Sequence, residues 1–369
     1  MRVLEVISAL DNGGVENLMF NYCSRISNEF EFDFTTFDDK KGALEDRFSQ
    51  IGGILRITQM RSNILKTIKT TKRYIKDGGY DVIHLHQGYL GFIALHYAIK
   101  YKVKGIVMHA HVAYVPEGKL GALTRRVLTR YCTRRVNNFM ACSKDASEWM
   151  WGKNKNCIVM KNAVIPTVFD FDPSLRLKKR TELKLENAFV IGCVGRICYQ
   201  KNPEFTLSIF KEVLKNKPNS MLLMVGNGDQ ENKMHCLASE MGISEKVMFL
   251  GSRNDVPELL NAMDVFLLPS RFEGLGIAYV EAQINGLKCY ASLEGVPQEA
   301  AIDEDMEFIS LNKSAEFWAE KICENDICSS RHGKVEEAKM AGYDIDIEAK
   351  KLASYYKMLG ANDEGFFSN

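Results

Sequence analysis

The stretch DVFLLPSRFEGLGIAYVEAQ, residues 264–283, decides the fold, because an apolar run precedes a glycine-containing turn and a helical pattern. The run predicts a buried strand, and the second half has the spacing of a helix. Gly274 and Gly276 lie in the turn, where backbone N–H groups and the helix dipole favour an anion. The carboxylates of Glu273 and Glu281 would repel a phosphate but suit ribose or sugar hydroxyls. The stretch therefore predicts a ligand that carries both phosphate and sugar.

Apolar runs of this kind recur in both halves of the chain and are separated by stretches with helical spacing. This alternation predicts parallel sheets covered by helices. We therefore expect an α/β chain of two doubly wound, Rossmann-like domains, with ligands in a cleft at the carboxyl ends of their strands. The predicted strands are residues 3–8, 32–37, 81–86, 105–111, 137–143, 188–195, 220–226, 246–251, 264–269 and 288–293.

The length of 369 residues suits two domains. Residues 162–187 contain two prolines and mixed charge with little periodicity, which indicates the break between the domains. We expect an N-terminal domain over residues 1–165, a linker over 166–187 and a C-terminal domain over 188–345. The last helix, over about residues 346–369, is expected to pack back on the N-terminal domain.

The composition is that of an ordinary globular protein, with 46% hydrophobic and 26% charged residues. A net charge of +1 gives no overall attraction to nucleic acid. The ten cysteines are scattered without a CxxC pair, which is typical of reduced thiols in a cytoplasmic protein. No apolar run reaches the length of about 18 residues that a spanning helix needs. We expect a cytoplasmic protein that contacts a membrane only from its surface.

Two cations follow another predicted strand, VIGCVG. Arg196 comes directly after this strand, and Lys201 precedes the next helical stretch. An arginine fork and a lysine point charge together suit the oxygens of a diphosphate. Either residue alone is typical of a solvated surface, so the prediction depends on their occurring with the glutamate–glycine turn in one domain.

The segments VGRICYQKN, MLLMVGNGD, FEGLGIAYVEAQINGLKC and GVPQEAA resemble the C-terminal domain of family 4 glycosyltransferases, over about residues 189–300. The resemblance implies the GT-B fold, with the nucleotide sugar bound by the C-terminal domain and the acceptor by the N-terminal domain. It implies retaining transfer of a sugar from a nucleoside diphosphate to an acceptor hydroxyl, without a metal ion or other cofactor. A UDP-sugar is the favoured donor, with a GDP-sugar as the alternative. Such enzymes most often build bacterial capsule, exopolysaccharide or related glycans on a lipid carrier.

The resemblance also implies roles for the motif residues. Glu273 contacts the transferred sugar as a catalytic residue, and Glu281 holds the nucleotide ribose. The residues assigned to the donor diphosphate are Arg196, Lys201, Gly274, Leu275 and Gly276, together with Gly13 and Gly14 near the N-terminus.

The turn NGGVEN, residues 12–17, follows the first predicted strand. Gly13 and Gly14 would let the backbone approach a ligand closely, although a plain strand–helix turn has the same spacing. The turn does not match GxGxxG, so a nicotinamide cofactor is not predicted. In the family, a turn of this kind borders the donor phosphates and the acceptor.

Two predicted strands end in paired histidines, HLH at 84–86 and HAH at 109–111. Four histidines invite a zinc interpretation, but we expect the two members of each pair to point to opposite faces of the sheet. The sequence also supplies no further cluster of cysteine or carboxylate ligands, so we predict no metal. The family places a catalytic histidine at the end of the second strand, near the transferred sugar. His111 is the first match and His109 the second.

Residues 119–138 contain six basic residues, no acidic residue, and apolar residues at helical spacing. A basic amphipathic helix can lie on an anionic membrane, although a helix packed on a core with a solvated basic face has the same pattern. The resemblance favours the membrane, because many such enzymes act on lipid-linked acceptors. Nucleic acid is not favoured, because neighbouring aromatic stacking residues are missing. The predicted membrane or acceptor patch is Arg125, Arg126, Arg130 and Arg134.

Two other functions fit the same motifs. A sugar-nucleotide epimerase or hydrolase of this fold would use the donor pocket and turn over without an acceptor. A non-catalytic nucleotide-sugar binding module would bind the donor and release no product. The combined set of two cations and two glutamates argues against the binding module.

Overall fold

The computed structural model describes residues 1–11, 13–37, 40–57, 63–86, 88–111, 118–153, 155–324 and 331–361. The chain divides into two compact units. The first consists of Met1–Val164 and the C-terminal segment from Asp344, and the second is Ile165–Tyr343. Within the described residues, no helix combines the length and apolar character needed to cross a bilayer.

The first unit is built on a parallel sheet with strand order β3-β2-β1-β4-β5-β6-β7. Its central strands are mainly apolar and almost wholly buried, as expected for a sheet covered on both faces. They also carry three buried polar residues, Glu5, His84 and His109. The strands are β1 Arg2–Val6, β2 Glu31–Thr36, β3 Gly52–Arg56, β4 Val82–Leu85, β5 Gly105–Ala110, β6 Asn138–Ala141 and β7 Cys157–Val159. The helices are α1 Gly14–Ile26, α2 Glu45–Phe48, α3 Ile64–Gly78, α4 Phe92–Lys100, α5 Lys119–Thr133 and α6 Lys144–Trp151.

The second unit contains a parallel sheet with strand order β10-β9-β8-β11-β12-β13. Its strands are β8 Phe189–Val194, β9 Ser220–Val225, β10 Val247–Gly251, β11 Val265–Leu268, β12 Lys288–Ser292 and β13 Met306–Ile309. Its helices are α7 Pro173–Glu182, α8 Pro203–Asn216, α9 Glu231–Glu240, α10 Val256–Ala262, α11 Ile277–Ile284, α12 Ala315–Cys323 and α13 Val335–Met340.

Residues 166–187 belong to the second unit and do not form the separate linker expected from the sequence. Helix α7 is fixed by the nearly buried Asp264, whose Oδ1 lies 2.5 Å from Nη2 of Arg176. The other oxygen of Asp264 accepts hydrogen bonds from Arg180 at 3.2 Å and from the backbone N–H of Val190 at 2.7 Å. The basic residues that resemble a polar linker in the sequence therefore attach this helix to the start of β8 and β11.

The last helix returns to the first unit. Helix α14, Ile345–Ala361, begins where the backbone N–H of Ile345 donates to the carbonyl of Val164 at 2.8 Å. It packs beside α1 and places Tyr356 against Phe30, with ring centroids 5.7 Å apart. Of the helix expected over about 346–369, residues 362–369 lie outside the described residues.

Candidate active site

The motifs predicted to bind the donor lie at the carboxyl ends of two neighbouring strands in the second unit. Strand β8 ends at Val194 and leads to Arg196, while β11 ends at Leu268 and leads to the turn before α11. The two strands are adjacent and parallel, so their following loops meet at one edge of the sheet. A backbone hydrogen bond from Arg271 to the carbonyl of Gln200, 2.8 Å long, joins these loops.

The carboxylate of Glu273 is held by three side chains from these two loops. Nζ of Lys201 lies 2.5 Å from its Oε1, and Oγ of Ser270 donates to the same oxygen at 2.6 Å. Gln200 donates to Oε2 at 3.2 Å and to the carbonyl of Phe272 at 3.0 Å. Glu273 is buried, and its orientation is therefore fixed without a ligand. Sequence analysis did not identify Ser270 or Gln200, although each lies within three residues of a motif residue.

Two glycines shape this edge of the sheet. Gly276 precedes α11 with a φ of 83°, a left-handed conformation that favours glycine. A Cβ there would lie 2.7 Å from the ring of Tyr279. Across the edge, a Cβ on Gly226 would lie 2.2 Å from the carbonyl oxygen of Gly195. The side chain of Leu275 is buried, so its backbone is the part that can face a ligand.

Glu281 lies in the second turn of α11, and its side chain is half-buried. Burial raises the pKa of its carboxyl to about 8, and no described residue supplies an opposing charge or hydrogen bond. A carboxyl held in this way is suited to a ligand that brings its own hydroxyl donors.

Arg196 is exposed, and no described residue forms an ion pair or hydrogen bond with its guanidinium. The two predicted cations therefore differ in their contacts. Lys201 is engaged by Glu273, whereas Arg196 presents its donors to solvent. Both remain candidates for holding an anion, since a lysine ammonium has three donors and one ion pair does not use them all.

In the first unit, Gly13 and Gly14 lie at the start of α1, and Asn12 of the same motif is outside the described residues. A Cβ on Gly13 would lie 2.1 Å from Oε2 of Glu16, whereas a Cβ on Gly14 would meet open space. Gly13 thus leaves room for the Glu16 carboxylate near the helix N-terminus.

The prediction that the two histidines of each pair point to opposite faces of the sheet was wrong. Side chains at positions i and i+2 of a strand lie on the same face, because the alternation has a period of two. The rings of His84 and His86 accordingly have centroids 4.1 Å apart, and those of His109 and His111 are 4.0 Å apart. His84 also stacks on His109 from the adjacent strand at 5.2 Å. The two pairs therefore form one histidine cluster.

Ring nitrogens of His84, His86 and His109 lie within 4.8 Å of one another, a spacing that could accommodate a metal ion. Both nitrogens of His86 already have protein partners, however. Nε2 contacts Glu5 at 2.7 Å and Nδ1 contacts His111 at 2.9 Å. A metal bound by these histidines would have to replace one of those hydrogen bonds.

Burial lowers the pKa of His84, His109 and His111 well below the ordinary value. The neighbouring histidines act in the same direction, because a second positive charge in the cluster would be repelled. These three imidazoles are therefore uncharged at neutral pH and can act as hydrogen-bonding groups.

The basic helix α5 exposes apolar residues as well as cations. Leu120 is 77% exposed, and Leu123 and Val127 are each 58% exposed at helical spacing. Among the described residues of this helix, Cys132 alone is buried, and Tyr131 packs against the core of the first unit. Arg125 stacks on Trp149 at 4.6 Å, so its charge is held against the protein. The remaining predicted patch residues, Arg126, Arg130 and Arg134, are exposed.

Two family models match consecutive parts of the chain. The model of Glycosyltransferase Family 4 matches residues 12–170, and that of Glycosyl transferases group 1 matches residues 176–327. Among curated relatives, EpsF of Bacillus subtilis, which is named as a glycosyltransferase, is 25% identical over 98% of both chains. The UDP-Gal:alpha-D-GlcNAc-diphosphoundecaprenol alpha-1,3-galactosyltransferase of Escherichia coli is 28% identical over 76% of both chains. The capsular polysaccharide biosynthesis glycosyltransferase CapH of Staphylococcus aureus is 23% identical and covers 96% of this chain and 98% of its own.

Solved structures show the same fold. Anabaena HepE in complex with UDP and glucose superposes with a TM-score of 0.82 at 18% identity, covering 97% of this chain and all of HepE. Sucrose-phosphate synthase from Thermosynechococcus elongatus gives a TM-score of 0.79 at 16% identity, covering 98% of this chain and 99% of its own. The two parallel sheets with their helices therefore form the GT-B fold, and the chain belongs to family 4 of the glycosyltransferases.

Proposed function

We propose that this glycosyltransferase transfers a sugar from a nucleoside-diphosphate sugar to an acceptor hydroxyl with retention of configuration. The observation that carries the proposal is the Glu273 carboxylate, fixed by Lys201, Ser270 and Gln200 at one edge of the second sheet. The exposed Arg196 and the start of α11 lie at that edge and supply the cationic and N–H groups a diphosphate needs.

The proposed mechanism combines these contacts with the retaining course of reaction that the family resemblance implies. Charge developing on the leaving diphosphate is stabilised by Arg196 and Lys201, which take the place of a metal ion. Glu273 is a weak nucleophile, since three donors already occupy its oxygens, so it positions the sugar without attacking it. The acceptor then attacks from the face that the diphosphate leaves, and the leaving phosphate takes the acceptor proton. Glu281 receives the ribose hydroxyls.

A UDP-sugar is the favoured donor. Support comes from the Escherichia coli relative, which is named for UDP-Gal, and from the structural neighbour HepE, which was solved with UDP. A GDP-sugar is the second choice. A relative in Mycolicibacterium smegmatis that matches 36% of this chain is named as GDP-mannose-dependent.

We further propose that the acceptor is a lipid-linked glycan of bacterial surface polysaccharide synthesis, reached at the inner face of the membrane. The names of CapH and of the diphosphoundecaprenol-dependent galactosyltransferase support this pathway. The exposed leucines and arginines of α5 support a peripheral membrane contact, since apolar side chains can enter the lipid boundary while arginines pair with anionic headgroups.

Release of nucleoside diphosphate in the presence of EDTA tests the reaction class. Purified protein is incubated with UDP-glucose, UDP-galactose, UDP-N-acetylglucosamine or GDP-mannose, with and without a lipid extract of bacterial membranes as the source of acceptor. A transferase releases diphosphate only when the acceptor fraction is present, and labelled sugar appears in the lipid phase. Equal release without acceptor would identify a hydrolase, and conversion of the donor sugar without release would identify an epimerase.

A further inference from the structure

A chain of hydrogen bonds links the last helix of the first unit to the histidine at the end of β5. The hydroxyl of Tyr356 contacts Oε1 of Glu5 at 2.8 Å, and Oε2 of Glu5 contacts Nε2 of His86 at 2.7 Å. Nδ1 of His86 in turn contacts Nε2 of His111 at 2.9 Å. Glu5 and His86 are buried, and neither residue is among the motif residues assigned above.

We propose that Glu5 and His86 are positioning residues that fix the tautomer of His111, so that its Nδ1 presents a lone pair to a hydroxyl of a sugar substrate. The inference rests on the proposed function, because the hydroxyl belongs to a substrate of sugar transfer. It assigns a role to Glu5, a carboxylate that the donor site does not use.

The direction of the chain follows from counting protons. An ionised carboxylate only accepts hydrogen bonds, so Nε2 of His86 carries the proton in the contact with Glu5. A neutral imidazole has a single N–H, so Nδ1 of His86 accepts. Nε2 of His111 must then donate, which leaves Nδ1 of His111 unprotonated.

Three side chains converge on the Glu5 carboxylate. Besides His86 and Tyr356, the thiol of Cys23 lies 3.8 Å from Oε1. Burial raises the pKa of the Cys23 thiol and of the Tyr356 hydroxyl, and the charge of Glu5 acts in the same direction. Both groups therefore stay protonated and donate hydrogen bonds to the carboxylate.

A branch of the network agrees with this direction. The Tyr356 hydroxyl has one proton, and it uses this proton in its hydrogen bond to Glu5. The Tyr356 oxygen therefore accepts a hydrogen bond from Nδ1 of His84 at 2.6 Å. Nε2 of His84 is then unprotonated, and it has no hydrogen-bond partner among the described residues. The same carboxylate therefore determines the tautomers of three histidines.

The network ends at a nitrogen without a protein partner. Nδ1 of His111 is buried and makes no hydrogen bond within the described part of the chain. An unpaired buried acceptor is unfavourable until a donor reaches it. A sugar hydroxyl supplies such a donor, and the preset lone pair spares His111 a proton rearrangement on binding.

Nitrogen-15 NMR of protein labelled in its histidine rings tests the proposal directly. In metal-free wild-type protein at pH 8, we expect the His111 signals to show an unprotonated Nδ1 and a protonated Nε2, assigned by their loss in His111→Gln. The same pattern is expected for His86. A protonated Nδ1 on His111, or a doubly protonated His86, overturns the proposal. One tightly held metal ion per chain after EDTA dialysis also overturns it, since the ion would occupy these nitrogens.

Two variants separate positioning from a structural role. Glu5→Gln can donate as well as accept, so we expect His111 to lose its single tautomer and kcat to fall by about tenfold, the rate equivalent of one hydrogen bond. Its shift in melting temperature with UDP should be unchanged. Tyr356→Phe keeps the ring and the Glu5–His86 contact, so it should alter the His84 signals and leave His111 as in wild type. An unchanged His111 tautomer in a folded Glu5→Gln protein contradicts the proposal.

These measurements test the positioning proposal and the proposed sugar-transfer reaction separately. The wild-type and Tyr356→Phe spectra require neither catalysis nor a folded Glu5→Gln variant. Sugar transfer combined with a protonated Nδ1 on His111 refutes the positioning proposal alone. The expected tautomer without any acceptor-dependent release of diphosphate supports the network and refutes the proposed reaction.

Discussion

Nζ of Lys201 lies 2.5 Å from Oε1 of Glu273, and both side chains are largely buried. Without a bound donor, the lysine therefore compensates the charge of the carboxylate that is proposed to contact the transferred sugar. A lysine ammonium has three N–H donors, so Lys201 can keep this contact and still bind a phosphate oxygen. Under the proposed function, the pair would couple diphosphate binding to sugar positioning.

Lys201→Ala should lower stability as well as donor binding. Removal of the lysine leaves Glu273 buried without its ion partner, and breaking a buried pair costs about 3–5 kcal/mol. Arg196→Ala is the matched control, since Arg196 is exposed and pairs with no described residue. It should change the free energy of unfolding by less than about 0.5 kcal/mol while still weakening UDP binding. Urea unfolding and UDP titration measure the two effects, and equal stability losses in both variants would contradict this account of the pair.

Glu273→Gln should reduce turnover more than donor binding. The amide keeps the approximate shape and can still accept from Ser270, but it lacks the charge that stabilises a developing positive charge on the sugar. We expect kcat to fall by about 100-fold or more, with a UDP dissociation constant within a few-fold of wild type. Steady-state kinetics beside UDP titration measures both. Full activity in the glutamine variant would exclude an electrostatic role for Glu273.

Glu281 should make the free energy of unfolding of the ligand-free protein depend on pH. Burial raises its pKa from the ordinary value near 4.5 to about 8 in the folded protein. The folded state therefore binds a proton more tightly than the unfolded chain, and the stabilisation present at low pH is lost as the pH rises from about 4.5 to about 8. Glu281→Gln lacks this titration, so the free energy of unfolding of wild type relative to the variant should decrease as the pH rises from about 4.5 to about 8. A difference that is constant from pH 4.5 to 9 would argue against the raised pKa.

The same carboxyl should make UDP binding favour higher pH. Ribose hydroxyls stabilise the ionised carboxylate, so binding lowers its pKa and releases a proton. The ratio of wild-type to Glu281→Gln affinity for UDP should thus increase between pH 6.5 and 8.5 in isothermal titration. A ratio that falls over this range would exclude Glu281 as the ribose ligand.

Membrane contact through α5 should depend on both charge and exposed leucines. Leu120→Gln with Leu123→Gln should weaken binding to vesicles containing anionic phospholipid by about tenfold or more, since each buried leucine contributes about 1.5–3 kcal/mol. Leu177→Gln is a matched control, because Leu177 is 69% exposed on α7 of the second unit. Sedimentation with anionic and with neutral vesicles measures the effect. Equal binding of the two variants would refute the assignment of α5.

The strand–turn–helix around Glu273 and the positions of most buried strands along the chain were predictable, because apolar runs and glycine turns are local signals. Strands β3, β7 and β13 were missed. β7 is a three-residue edge strand with two exposed positions, and β3 begins with two glycines, so neither has a long apolar run. Such short strands are defined by pairing with a neighbour, as Phe139 pairs with Cys157.

The donor residues were named from their motif, but the contacts that hold them were not. Gln200 reaches Glu273 across 73 positions of sequence, and Tyr356 reaches Glu5 across 351. Contacts between residues this far apart in the sequence depend on how the sheets bring loops and the last helix together. The periodicity of apolar residues does not encode that arrangement. The histidine cluster differs, because the two-residue period of a strand is sufficient to place His84 and His86 on one face.

A thermal-shift panel with UDP, GDP, ADP, CDP and NAD in EDTA tests the central claim most directly. It compares wild type with the double variant Arg196→Ala, Lys201→Ala. A nucleoside diphosphate at about 100 times its dissociation constant should stabilise wild type by about 2.7 kcal/mol. We predict that UDP raises the melting temperature of wild type and that the double variant loses the shift. A shift with NAD alone, no shift without a divalent metal, or an undiminished shift in the double variant would contradict a metal-free donor site at Arg196, Lys201, Glu273 and Glu281.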